Sequence, residues 1–198
     1  MAIEIDNKKL RVTGITFGLL LGLALTILSI LSFYIMISIS SVILISSVPF
    51  IFSVLLPIVL VVILCFNFRR RIGGFWTFKQ AATGIFIMFL TAFVVQFVLR
   101  DQVFAKVIEP DMVQKTQTAM TNAVSKFLHE SKASQDDIDK KMDDIQKQFE
   151  SQKEVTIGKQ IQGVCFSIIF MFVLALIFAA FFKKEVHIYN PGVDITNR

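Results

Sequence analysis

Long apolar runs alternate with short charged segments along this chain. After a polar leader, an uncharged run of about 55 residues ends at Phe66, and two shorter apolar runs follow. One membrane-spanning helix needs about 20 apolar residues, so the first run accommodates two helices and is too long for the apolar core of a signal peptide. The pattern predicts an all-α integral membrane protein with four transmembrane helices, near residues 12–37, 47–66, 78 or 81–99, and 158–182.

The turn between the first two predicted helices is expected within a group of serines. These are Ser38, Ser40, Ser41, Ser46 and Ser47, and they precede Pro49. Proline is tolerated in a first helical turn because the amide hydrogen that it lacks would have no intrahelical partner there. We therefore predict Pro49 in the first turn of the second helix, and we expect Pro57 to bend that helix.

The polar region at residues 101–157 predicts an antiparallel helical hairpin between the third and fourth spans. Its first helix follows Pro110 and Asp111, and its second helix begins after Ser134, which is expected to cap it. Apolar residues of the second helix recur at spacings of four, three and four, which indicates a heptad seam. The seam residues are Ile138, Met142, Ile145 and Phe149. Helices of roughly 20 residues, at about 1.5 Å per residue, would project about 30 Å from the membrane.

The segment between the second and third spans has the highest density of positive charge. It also contains two glycines suited to a tight reversal and aromatic residues suited to the headgroup level. Its members are Arg69, Arg70, Arg71, Gly73, Gly74, Phe75, Trp76, Phe78 and Lys79. Thr77 and Gln80 are predicted to form a capping box at the start of the third span.

This basic loop predicts the orientation of the chain, because short loops rich in Lys and Arg stay in the cytoplasm. Residues 1–100 would then comprise a cytoplasmic N-terminus and three spans. Residues 101–157 would form an extracytoplasmic hairpin, and residues 158–198 would comprise the fourth span and a cytoplasmic tail.

Three glycines recur every four residues in the first predicted span, at Gly14, Gly18 and Gly22. Such a ridge lets another helix backbone approach closely, which matters in lipid because apolar surface alone gives helices little reason to associate. We expect the ridge to contact a neighbouring span of the same chain. The alternative is contact with a second copy of the protein.

Glutamines are expected to meet at one level of the third and fourth spans. Gln96 lies near the end of the third span, and Gln160 and Gln162 lie near the start of the fourth. A hydrogen bond between Gln96 and one of the others would act as a structural clamp worth about 0.6–2 kcal/mol. The alternative is that Gln96 belongs to a substrate site.

Composition and charge narrow the function classes. The chain is 55% hydrophobic with a net charge of +5, whereas soluble domains are about 45–50% apolar. Residues 67–80 contribute +4 and residues 101–157 contribute −3. Membrane orientation therefore accounts for the basic excess, and no nucleic-acid partner is expected.

The sequence contains none of the common phosphate-, dinucleotide- or metal-binding signatures. We therefore expect no cofactor, no metal site and no catalytic residue. The predicted spans also lack the charged residues that ion-coupled transporters use. Cys65 and Cys165 are expected to lie at different depths, each as a small buried residue without a disulfide.

Four groups of residues carry a resemblance to a known family. They are the glycines Gly14, Gly18 and Gly22, the loop residues Phe68, Arg69, Gly73, Gly74, Phe75, Phe78, Lys79 and Ala81, the pair Pro110 and Asp111, and the closing Lys183 and Lys184. With them the chain resembles, over nearly its whole length, a family of small bacterial four-span membrane proteins described as a domain of unknown function. The resemblance implies a location in the bacterial inner membrane. It implies no activity and no active-site residues.

We interpret the chain as a structural or accessory component of the lipid bilayer. Its outer hairpin would bind a protein partner or a second copy of the protein. The alternative is an oligomeric small-molecule or lipid transporter assembled around the glycine-faced first span. A membrane-embedded enzyme is a third class, which the absence of a catalytic motif disfavours.

Overall fold

The computed structural model describes residues 7–39, 41–153 and 157–184 of the 198-residue chain. This part of the chain is almost entirely helical. In chain order the elements are α1 (Asn7–Ser38), α2 (Val42–Phe50), a π-helical turn (Ile51–Leu55), α3 (Leu56–Arg71), α4 (Phe78–Gln96), a π-helical segment (Phe97–Ile108), α5 (Met112–Glu130), α6 (Gln135–Lys153) and α7 (Ile157–Phe182). The predicted tail after residue 184 lies outside the described residues.

Four helical stretches are long and apolar enough to cross a membrane. They are α1, the continuous stretch Val42–Arg71, the continuous stretch Phe78–Ile108, and Ile161–Phe182 of α7. The chain is therefore an all-α multi-pass membrane protein, which confirms the class predicted from hydropathy. The third stretch continues past its predicted end at Leu99, because helical hydrogen bonding does not stop where the apolar run stops.

The second span is not a regular α-helix. The turn before it lies between Ser38 and Val42, so Pro49 falls past the second turn of α2, as its eighth residue. The prediction of a first-turn proline is therefore wrong. The π-helical turn Ile51–Leu55 separates Pro49 from Pro57. Pro57 lacks an amide hydrogen, and its ring crowds the carbonyl four residues earlier, which belongs to Ser53 in this turn. A wider turn relieves both problems.

The glycine ridge of α1 lies against α4. A Cβ atom added to Gly18 would lie 2.5 Å from Thr91 Cβ, and one added to Gly22 would lie 2.6 Å from Val95 Cβ. Gly14 is less tightly enclosed, because the nearest atom to an added Cβ is 3.1 Å away. The ridge is thus occupied by a neighbouring span of the same chain, and it leaves no room there for a second copy.

The fourth span packs against α4 along its second half. Ala175 and Ala179 are fully buried, and the Phe86 and Phe172 rings meet edge to face with their centroids 5.6 Å apart. The first half of α7 is different, since every side chain from residue 161 to residue 166 is exposed. The two halves of this helix therefore have different surroundings.

The expected glutamine clamp does not form through Gln162, because the first half of α7 is not packed against α4. Gln162 is exposed, Gln96 is half-buried, and no hydrogen bond joins them in the described chain. An added Cβ on Gly163 would meet no described atom within 4 Å. Cys165 on the same half of α7 is exposed and unpaired, so its predicted burial is wrong. The side chain of Gln160 lies outside the described residues.

α5 and α6 are joined by a turn at residues 131–134 and contact each other. On α6, the expected seam residues Ile138, Ile145 and Phe149 are buried, and Met142 is half-buried. The α6 N-terminus has the predicted cap, because the Asp137 amide donates to Ser134 Oγ at 3.3 Å. α5 also packs against α1 and α2.

Candidate functional site at the α5–α6 end

Three aromatic rings join α1 to the π-helical segment at the end of the bundle that carries α5 and α6. The Phe33 and Phe104 rings meet edge to face with centroids 5.7 Å apart. Tyr34 lies beside both, at 5.2 Å from Phe33 and 6.0 Å from Phe104. Phe33 and Phe104 are buried, so the cluster fixes the last turns of α1 and positions the Tyr34 hydroxyl.

Glu109 connects α1 and α5 through its two carboxylate oxygens. Oε1 accepts a hydrogen bond of 3.1 Å from Tyr34 Oη, and Oε2 lies 2.5 Å from Lys115 Nζ. The helix breaks at Glu109 because the following Pro110 disfavours helical geometry at the preceding residue. The hydrogen bond from Lys115 lowers the pKa of Glu109, and the same bond raises the pKa of Lys115. Both groups are therefore charged across the neutral range.

A cavity of about 400 Å³ lies near this connection, among α1, the second span, the π-helical segment, α5 and α6. We call it the Arg100 cavity. Its polar lining consists of Ser29, Ser32, Ser53, Arg100, Asp101 and Thr116. Apolar side chains, including Phe33, Met36 and Phe149, line the rest.

Arg100 and Asp101 form only a loose pair in this cavity. Arg100 Nε lies 4.0 Å from Asp101 Oδ1, which is beyond hydrogen-bonding distance. The Nε atom is buried, yet it has no hydrogen-bond partner in the described part of the chain. The rest of both side chains is more open, since 42% of the Arg100 side chain and 50% of the Asp101 side chain is exposed. The N–H groups of a guanidinium are chemically suited to an anionic oxygen.

The π-helical geometry determines which residues reach the Arg100 cavity. Arg100 and Ala105 both line it although they are five residues apart. In an α-helix, residues at this spacing are about 140° apart around the axis. The wider i to i+5 repeat of the π-helix brings them to one side.

The predicted basic loop lies at the opposite end of the bundle, which we call the basic end. Trp76 is buried there, and its Nε1 donates a hydrogen bond of 2.7 Å to the carbonyl oxygen of Phe182. Its backbone exchanges two hydrogen bonds with Lys184. Trp76 is thus a core residue, in contrast to the exposed Phe75 and Phe78.

The other loop residues have distinct surroundings. Gly73 and Gly74 have φ angles of +119° and +85°, which favour glycine. Arg69 is half-buried and donates to Phe182 O at 3.5 Å. The exposed cations of the loop are Arg70, Arg71 and Lys79.

The start of α4 has the capping box expected from the sequence. The Thr77 amide donates to Gln80 Oε1 at 2.9 Å, and the Gln80 amide donates to Thr77 Oγ1 at 3.3 Å. Both bonds satisfy amide groups that the helix itself leaves without a partner, so the prediction is confirmed.

Residues 16–184 match a family described as protein of unknown function (DUF4199). The chain belongs to the DUF4199 family. The resemblance to a domain of unknown function is thereby confirmed, and the DUF4199 region includes both the Arg100 cavity and the basic end. No curated protein and no solved structure matches the chain significantly.

The polar groups at the α5–α6 end of this DUF4199 protein are not predicted by the sequence pattern. The sequence pattern assigns no functional role to Arg100, Asp101, Tyr34, Glu109 or Lys115. The adjacent opposite charges at the end of an apolar run were a signal. The π-helical segment that carries them has no comparable sequence signature.

Proposed function

We propose that this protein is a non-enzymatic accessory component of the bacterial inner membrane that binds a protein partner through α5 and α6. One observation carries the proposal. α6 buries Ile138, Ile145 and Phe149 within its own chain, so its remaining exposed surface is polar and charged. A helix held in place in this way presents a defined charge pattern to a partner.

The charge of α6 suggests the chemistry of that partner. Gln135–Lys153 contains six acidic residues and four lysines. Some charges are paired within the helix, as with Lys147 Nζ and Asp143 Oδ2 at 2.6 Å, but acidic residues remain in excess. A basic protein surface is complementary to this face, and the association would weaken as salt is raised.

The proposal puts α5 and α6 on the extracytoplasmic side and both termini in the cytoplasm. The support comes from the basic end, where Arg70, Arg71 and Lys79 are exposed. Short loops rich in such residues are retained in the cytoplasm. The α5–α6 end, at the other end of the spans, would then face outward.

Affinity capture after crosslinking in cells tests the proposal. We expect the full-length protein to capture a partner, and a variant with residues 112–149 replaced by a short linker to insert in the membrane without capturing it. The finer test reverses charge on the exposed face. Asp143→Lys with Asp144→Lys should reduce capture, and the matched control, Lys140→Glu with Lys141→Glu, should preserve it. Equal capture by the linker variant would contradict the proposal.

A small-molecule or lipid transporter is the second candidate, and the Arg100 cavity is the observation that favours it. Because α4 occupies the glycine ridge, an oligomer of this kind would have to assemble through another surface. Capture of nothing except the protein itself, by both the full-length and the linker variant, would favour this candidate.

A further inference from the structure

We propose that the Arg100 cavity binds the zwitterionic headgroup of a phospholipid, in which a phosphate lies close to a primary ammonium group. The phosphate oxygens would accept hydrogen bonds from Arg100, and the ammonium group would pair with Asp101. This site goes beyond the proposed partner-binding function and does not depend on it.

The charges of the cavity are complementary to a zwitterion. The cavity contains one cation and one anion that are adjacent but not hydrogen-bonded, with Arg100 Nε 4.0 Å from Asp101 Oδ1. Guanidinium presents N–H donors in a geometry that matches phosphate. A ligand that carries only negative charge would meet the Asp101 carboxylate, whereas a zwitterion satisfies both side chains.

Three serine hydroxyl groups of the cavity are free to bind a ligand. Thr26 and Ser38 of α1 donate to the carbonyl four residues earlier, each at 2.8 Å. Ser29, Ser32 and Ser53 line the cavity and make no hydrogen bond within the described part of the chain. Their hydroxyls can therefore donate to phosphate or ester oxygens.

The site lies at a depth that suits a lipid headgroup. Phe78 begins α4 at the basic end, and Arg100 lies 22 residues further along the same continuous helix. At 1.5 Å per residue this is about 33 Å, close to the ~30 Å thickness of the hydrocarbon layer. Arg100 therefore lies at the level of the opposite headgroups when Phe78 lies at the near ones.

The size and apolar lining of the cavity also suit a lipid. Its volume of about 400 Å³ lies within the usual range of about 300–1,000 Å³ for small-molecule sites. Met36 and Phe149 line it together with the polar groups. They offer apolar contact to the glycerol and the first acyl carbons, which a soluble zwitterion would not use.

Native mass spectrometry of the delipidated full-length protein tests the site directly. Phosphatidylethanolamine, phosphatidylglycerol with the same acyl chains, and free phosphoethanolamine are titrated separately. We expect one phosphatidylethanolamine per chain, bound at least tenfold more tightly than either alternative. Tighter binding of phosphatidylglycerol would overturn the zwitterion assignment, and equal binding of free phosphoethanolamine would overturn the lipid assignment.

Matched variants assign the binding to Arg100. We expect Arg100→Gln to weaken binding at least tenfold and Lys106→Gln, which removes an exposed cation from the same segment, to change it less than twofold. Ala105→Met fills the cavity without changing charge and should also abolish binding, which keeps the test decisive if Arg100→Gln fails to fold. Equal effects of Arg100→Gln and Lys106→Gln, or unchanged binding by Ala105→Met, would overturn the proposal.

Discussion

Trp76 Nε1 donates a hydrogen bond of 2.7 Å to the carbonyl oxygen of Phe182, 106 residues later in the chain. The Trp76 ring also meets Phe68 edge to face, with centroids 5.3 Å apart. Two backbone hydrogen bonds join Trp76 to Lys184. The basic loop is therefore attached to the ends of both α3 and α7, and these contacts close one end of the bundle.

We expect Trp76→Phe to lower the free energy of unfolding by about 1–3 kcal/mol, because it removes the indole donor and leaves space beside Phe68. Unfolding by SDS in mixed micelles, followed by circular dichroism, measures the change. Phe75→Leu is the matched control, since Phe75 is exposed. Equal stability losses in the two variants would contradict the role assigned to Trp76.

We expect Gly18→Ala to destabilise the contact between α1 and α4 by about 1–3 kcal/mol, because the new Cβ would overlap Thr91 and force the helices apart. Gly163→Ala is the control, since an added Cβ there meets no described atom within 4 Å. The same SDS titration compares them, and Gly163→Ala should change stability by less than about 0.5 kcal/mol. Similar stability losses in the two variants would contradict the prediction, because they would show that the loss does not depend on the close approach of α1 and α4.

The connection between Glu109 and Lys115 predicts a pH-dependent stability. The pKa of Glu109 is lowered from 4.5, so its contribution is present above pH 4.5 and is lost as the pH falls through the lowered pKa. The pKa of Lys115 is raised from 10.5. Its contribution is present below pH 10.5 and is lost as the pH rises through the raised pKa.

We therefore expect Glu109→Gln to lower the melting temperature at neutral pH, and expect the difference from the wild type to shrink below pH 4.5. Melting curves between pH 3 and pH 9 measure this difference. Glu130→Gln, at an exposed position of α5, is the control and should show no comparable change. A difference for Glu109→Gln that is independent of pH would contradict the predicted role of its charge.

The proposed orientation predicts opposite labelling of two exposed lysine positions. In a background with Cys65→Ala and Cys165→Ala, Lys140→Cys should react with an impermeant thiol reagent in intact cells. Lys79→Cys should react only after lysis. The reverse labelling would invert the proposed topology while leaving the helical structure unchanged.

The sequence alone determined the features that depend on local pattern. Run length and hydropathy predicted four spans, because every span must cover the apolar layer by itself. The helix caps could also be predicted from the sequence, since Thr77 and Ser134 accept hydrogen bonds from amides only three residues away. The seam of α6 followed from helical periodicity in the same way.

Which distant groups meet depends on the tertiary arrangement of the helices. Tyr34 and Glu109 are separated by 75 residues, and their contact depends on how α1 and the π-helical segment are rotated against each other. The position of Arg100 at the cavity depends on the same segment, whose wider repeat has no sequence signature. The glycine ridge predicted close packing with some helix, but only the helix arrangement identifies α4 as that partner. Apolar side chains that face lipid and those that face another helix look alike in a sequence, because lipid tails are as apolar as the helix surface.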